Sequence, residues 1–160
     1  MGSQLDASAG DHGNAPAPPG AGCGSRAGGR RPRVLVADDN ADAARALAQL
    51  LELSGYTADV AADGLAAVEM SARLRPDVLL LDVGMPKMTG LEVARWIRGR
   101  FGRAQPVLVA VTAWGRDEDR CGTRDAGFDG HFTKAADPDD LLRWLATITD
   151  GESPARPPPR

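Results

Sequence analysis

Between residues 33 and 150, short strand-like segments alternate with helix-like segments five times over, most of them marked by apolar runs or stripes, and nothing else constrains the fold as tightly. Val34-Leu35-Val36-Ala37, Val78-Leu79-Leu80-Leu81 and Val107-Leu108-Val109-Ala110-Val111 are continuously apolar. A strand reads that way when both its faces are buried, as in a parallel sheet covered by helices. Residues 56–61 are less apolar and predict an edge strand, and residues 130–133 predict a short fifth strand. Apolar stripes at helical spacing stand between them: Ala43, Leu47, Leu50 and Leu51; Leu65, Val68 and Ala72; Leu91, Ala94 and Ile97. A polar helix is expected over 117–126, its first turn acidic as the helix dipole favours. A last stripe comprises Leu141, Trp144, Leu145 and Ile148. Gly55 and Pro76 supply stops, Asp137 an N-cap and Pro138 a first helical position. Right-handed crossovers leave few topologies at this size. The prediction is an α/β, doubly wound five-stranded parallel sheet, flavodoxin-like order 2-1-3-4-5, with helices on both faces.

Composition changes outside that segment. Residues 1–32 hold 8 Gly and 4 Pro, and Leu5 is their sole large aliphatic after Met1. Such a segment buries too little apolar area to offset its ordering entropy, so a disordered arm is expected. Residues 151–160 end in Pro-Ala-Arg-Pro-Pro-Pro-Arg and predict a short extended tail. No output domain is expected after the fifth helix. Residues 33–150 carry 14 Lys/Arg against 19 Asp/Glu, a net of −5. That balance argues against direct nucleic-acid binding, which draws on a basic patch. No apolar run approaches the roughly 18 residues of a membrane span, and no charged-then-apolar leader opens the chain. Cys23 and Cys121 lie far apart, so neither a disulfide framework nor a thiolate metal site is expected. A cytoplasmic protein, monomeric or weakly dimeric, is the expectation.

In a doubly wound sheet, ligands bind at the carboxyl ends of the strands. Those ends carry Asp38, Asp39 and Asn40 after the first strand, and Asp82, Val83, Gly84, Met85 and Pro86 at the third. Thr112 follows the fourth and Lys134 the fifth. Three carboxylates thus converge on one edge of the sheet. Like charges a few ångströms apart do not ionise together unless a cation compensates them. Hard oxygen ligands with open positions suit Mg²⁺ (or Mn²⁺). An ammonium and a hydroxyl at neighbouring strand ends complete a site for a phosphoryl group. Taken singly, each residue has a plainer reading: Asp38-Asp39 as turn and cap, Thr112 as a β-branched strand residue, Lys134 as a solvated charge.

Asp38-Asp39, the run Leu79 to Pro86 with Gly90 after it, Thr112 and Lys134 resemble the receiver domain of two-component response regulators, over residues 33 to about 150. Gly127, Phe128, Asp129, His131 and Lys134 look like the receivers attached to hybrid sensor kinases. The resemblance implies that Asp82 is the phosphoacceptor, taking the group from a histidine kinase or a histidine phosphotransfer protein. It implies that Asp39 binds Mg²⁺ directly, Asp38 mostly through water and Gly84 by its carbonyl. Lys134 would pair with the phosphoryl oxygens. Thr112 and His131, at the aromatic-switch position, would move together, and output would run through the face of the fourth helix, fifth strand and fifth helix. Any enzymatic activity would be confined to self-phosphorylation and self-dephosphorylation at Asp82.

In one respect the chain departs from that family: Ala135 follows Lys134, where proline with a cis bond is usual. A cis bond before a non-proline residue costs ~3 kcal/mol. The alternative this raises is a receiver-like protein-binding module independent of phosphorylation. An aspartyl-nucleophile phosphatase would carry a second acid two residues after the first, where Gly84 stands. A flavin protein of this topology would carry a Ser/Thr-rich loop where Asp38-Asp39 stand. Trp114 is either a lid over the site or an exposed loop residue, and Cys121 reads as an unreactive thiol.

Overall fold

The computed structural model describes residues 31–103, 106–113 and 117–149. Most of the expected arm, the C-terminal tail and Trp114 lie outside the described residues. The chain runs β1 (Arg33–Ala37), α1 (Ala41–Leu53), β2 (Thr57–Ala61), α2 (Gly64–Leu74), β3 (Val78–Asp82), α3 (Gly90–Phe101), β4 (Val107–Thr112), α4 (Asp117–Ala126), β5 (Gly130–Thr133) and α5 (Pro138–Thr149). The strands form one parallel sheet in the order β2-β1-β3-β4-β5, as predicted.

Alternation along the strands builds two cores. Leu35, Leu79, Leu81 and Leu108 face Ala67 of α2, Val93, Ala94 and Ile97 of α3, and Ala126 of α4. Val34, Val36, Val78, Leu80 and Val109 face Ala44 and Leu51 of α1, and Leu141, Trp144 and Leu145 of α5. All five residues of β3 are buried, which is why this strand reads as the most apolar. Each such leucine or valine contributes about 1.5–3 kcal/mol of burial.

Two helices bury small residues beside the expected large ones, Leu51 of α1 being buried as read and Leu47 and Val68 packing at the core's margin. In α1 the buried line is Ala44, Ala48 and Leu51, while Ala43, Leu47 and Leu50 sit half-buried on its flank. In α2 the buried line is Gly64, Ala67 and Ser71; Leu65 is 52% exposed and Ala72 is exposed. The reason is close approach, because small residues let a helix axis sit near what it covers. A Cβ on Gly64 would lie 2.2 Å from the Met88 carbonyl oxygen.

Local signals set the ends. Asn40 caps α1, accepting from the amides of Asp42 and Ala43, and Gly55 takes φ +93° just past that helix. Thr89 and Glu92 form a capping box on α3. The start of α3 presses on the end of β3: the Gly90 amide donates to the Val83 carbonyl, and a Cβ on Gly90 would lie 2.5 Å from the Asp82 carbonyl oxygen. Lys87, in the loop between them, holds φ +66° and pairs with Asp63 at 2.7 Å, tying that loop to the cap of α2.

Two glycines of α3 should therefore respond with opposite sign. Gly90→Ala should lower the urea midpoint, at a cost of about 1–3 kcal/mol, because backbone blocks the new methyl. Gly99→Ala meets nothing within 4 Å on an exposed position and should raise stability by about 0.5–1 kcal/mol.

Candidate functional site

The carboxyl edge of the sheet gathers residues far apart in sequence. Pairing of β1 with β3 sets Ala37 opposite Leu81, so Asp38 and Asp82 emerge side by side. Pairing of β4 with β5 sets Thr112 opposite Thr133, and the Lys134 amide donates to the Thr112 carbonyl at 2.7 Å. One carboxylate oxygen each from Asp38, Asp39 and Asp82 lies within 4.8 Å of the others. Asp38 and Asp82 are only 6% and 8% exposed, and Asp39 is exposed. Lys134 Nζ stands 2.7 Å from Asp38 Oδ2 and 3.3 Å from Asp82 Oδ2. The Gly84 amide donates to Asp82 Oδ1 at 3.1 Å, and Asp38 Oδ1 accepts from the Asn40 amide at 2.9 Å. An i→i+3 turn from Thr133 to Ala136 carries Lys134, with Ala135 exposed at its outer side.

The electrostatics follow from burial. Desolvation raises the Asp82 pKa above the ordinary carboxylate value, Asp38 adds to the rise, and the Gly84 amide and Lys134 only partly offset it. Burial works to lower the Lys134 pKa, but its hydrogen bond to Asp38 and the charge of both aspartates outweigh that and hold it above the usual lysine value. Three carboxylates against one ammonium leave an excess of negative charge in a pocket of hard oxygens. That donor set fits a divalent cation such as Mg²⁺. Beside the cluster, an apolar groove between α1 and α5 is lined by Leu47, Leu50, Phe132 and Leu141.

Thr112 is buried, with its hydroxyl 3.3 Å from His131 Nε2. The other ring nitrogen, Nδ1, lies 3.3 Å from the hydroxyl of Thr123 on α4. Nothing in a polar helix marked Thr123, because burial of one hydroxyl there is decided by packing. Arg98 was equally unmarked. Its guanidinium donates to the carbonyls of Gly127, Gly102 and Pro106 and pairs with Asp129, joining the end of α3 to the loops before β4 and β5. Cys121 is exposed.

A doubly wound parallel sheet that gathers buried carboxylates and a lysine at its carboxyl edge is the architecture of two-component signalling receivers. The family model described as response regulator receiver domain matches residues 34–146, and the chain belongs to that family. Among curated relatives, response regulator MprA of Mycobacterium ulcerans (strain Agy99) is 42% identical over 116 residues, covering 72% of this chain and 49% of that protein. The chain thus spans about half the length of the curated relatives it matches. Among solved structures, the receiver domain of Francisella response regulator 1452 superposes with a TM-score of 0.70 at 25% identity, covering 75% of this chain and 98% of that one. Chemotaxis protein CheY4 of Vibrio cholerae gives a TM-score of 0.70 at 28% identity, covering 74% and 99%. Among the described residues no helix is long and apolar enough to cross a membrane.

The raised pKa of Asp82 carries a sign. An acid held above its unfolded value costs stability at pH 7, and that cost fades as pH falls toward the unfolded value near 4. Asp82→Asn should therefore melt above the unsubstituted chain at pH 7. The gap should close as pH is lowered toward 4, which paired thermal melts in metal-free buffer would read. An equal gap at both ends of that range would contradict burial as the cause.

Proposed function

We propose that this chain is a phosphoryl-accepting switch of a two-component phosphorelay, with residues 33–150 as the working unit and Asp82 as the acceptor. The observation that carries the reading is the Asp38–Asp39–Asp82 cluster with Lys134 bound to two of its members. In the step proposed, one carboxylate oxygen of Asp82 attacks the phosphorus of a phosphohistidine on a histidine kinase or phosphotransfer protein. The P–O bond forms as the P–N bond breaks, and the imidazole nitrogen leaves with the electron pair. A carboxylate is a weak nucleophile, so alignment and charge neutralisation carry the rate.

Lys134 neutralises charge on the phosphoryl oxygens, and the Gly84 amide holds the Asp82 carboxylate in place. Asp39, Asp38, Asp82 and the Gly84 carbonyl are the groups that would hold Mg²⁺. Bound there, the ion supplies positive charge to the transferring group. Thr112, at the end of β4, would turn its hydroxyl to the new phosphoryl oxygens. The acyl phosphate is then a local charge change that biases a two-state arrangement read out through the α4–β5–α5 face.

Intact-protein mass spectrometry after incubation with a small phosphodonor tests this. One phosphoryl group should add to the unsubstituted chain with Mg²⁺, and none to Asp82→Asn or in the presence of a chelator. Lys134→Ala should slow uptake at least ~10-fold. Ala135→Pro should change the rate of uptake, since it alters the turn that carries Lys134. Failure of the unsubstituted chain with both a small donor and a competent phosphohistidine protein would leave the phosphorylation-independent binding module.

A further inference from the structure

We propose that Thr123 is a positioning residue, the third member of a hydrogen-bonded chain Thr112–His131–Thr123 through which the sheet-edge site grips α4. The inference rests on the reading of Asp82 as acceptor for its biological use, but not for its existence. His131 is half-buried on β5 and has a hydroxyl 3.3 Å from each ring nitrogen, Thr112 on Nε2 and Thr123 on Nδ1. Both threonines are nearly sealed from solvent, at 5% and 2% exposed. An imidazole has a polar atom at two separate ring positions, whether it accepts at one and donates at the other or donates at both. A phenyl ring offers neither, and a phenol offers one end only. A histidine here is therefore a connector between two elements rather than a plug filling space.

Among the described side chains of the helix it grips, few others hold it on that side. From Cys121 to Ala126 only Thr123 and Ala126 of α4 are buried. Ala126 packs into the core with α3, and the far end of the helix is fixed by Arg98 on the Gly127 carbonyl. Among the described side chains of α4, Thr123 is thus a polar attachment to the sheet. A Thr112 hydroxyl drawn toward Asp82 would release its bond to Nε2 of the half-buried ring. A ring shifting into the space left behind would carry Thr123 with it through Nδ1.

The test is a double-mutant cycle in the full-length chain, read by amide hydrogen exchange over residues 121–126 without any phosphodonor. Thr112→Val and Thr123→Val remove one hydroxyl each and keep side-chain shape. If the chain couples them, each speeds exchange, but the double variant falls short of the product of the two effects by at least about threefold. Thr123→Ser should restore slow exchange, and in a His131→Phe background the two valine changes should become independent. Multiplicative effects in the unsubstituted background, or no rescue by serine, would overturn the proposal. A second arm adds phosphodonor and Mg²⁺: the change in exchange over 121–126 on phosphoryl uptake should shrink at least about threefold in Thr123→Val. Coupling without phosphoryl uptake would remove the proposed function and keep the connector. Uptake at Asp82 with multiplicative effects would do the reverse.

Discussion

One ammonium between two buried carboxylates is the interaction on which the arrangement of the sheet's carboxyl edge depends. Lys134 reaches Asp38 and Asp82 at once, although β5 and β1 are separated by two strands in the sheet. Without that charge, two nearly sealed carboxylates would face each other in a place where burial already resists ionisation. With it, they remain close, and the exposed Asp39 completes an oxygen-rich pocket that still carries excess negative charge. That donor set is compatible with a divalent cation.

The sheet supplies the rigidity that such proximity needs. Parallel pairing brings every strand's carboxyl end to the same edge, and β3, paired on both sides and buried along its whole length, carries Asp82 at its end. The loops around the site are drawn in by backbone contact, as the tight approach of Gly90 to the Asp82 carbonyl and of Gly64 to Met88 shows. Opposed to this rigid edge is α4. It buries few side chains among those described, is clamped at its far end through Arg98 and touches the site side through Thr123 and His131. A stiff frame with one lightly attached element is the arrangement in which a small charge change produces a defined movement rather than a diffuse one.

The strands and the carboxylates at their ends were legible in the sequence for the same reason. Continuous apolar runs such as Val78–Leu81 have few uses other than a strand covered on both faces, and an aspartate directly after one must lie at the sheet edge. Helix faces were less legible. The sequence points to Leu47 and Leu50 or Leu65 as inward, yet Ala44, Ala48 and Ala67 take those places, because closeness of approach selects small residues and a hydropathy pattern rewards large ones. Thr123 and Arg98 carried no signal at all, since their partners lie 8 and 29 residues away, at His131 and Gly127.

By itself, then, the sequence determined the order of elements, the strand that lies at the centre and the set of charged residues that the strand ends display. These follow from periodicity and from where each polar residue interrupts an apolar run. Only the tertiary structure decided which oxygen meets which nitrogen, how deeply Asp38 and Asp82 are buried and that His131 holds a hydroxyl at each end. Distances of that kind depend on strand register, helix approach and rotamer together, and no one of them is written in a single stretch of chain.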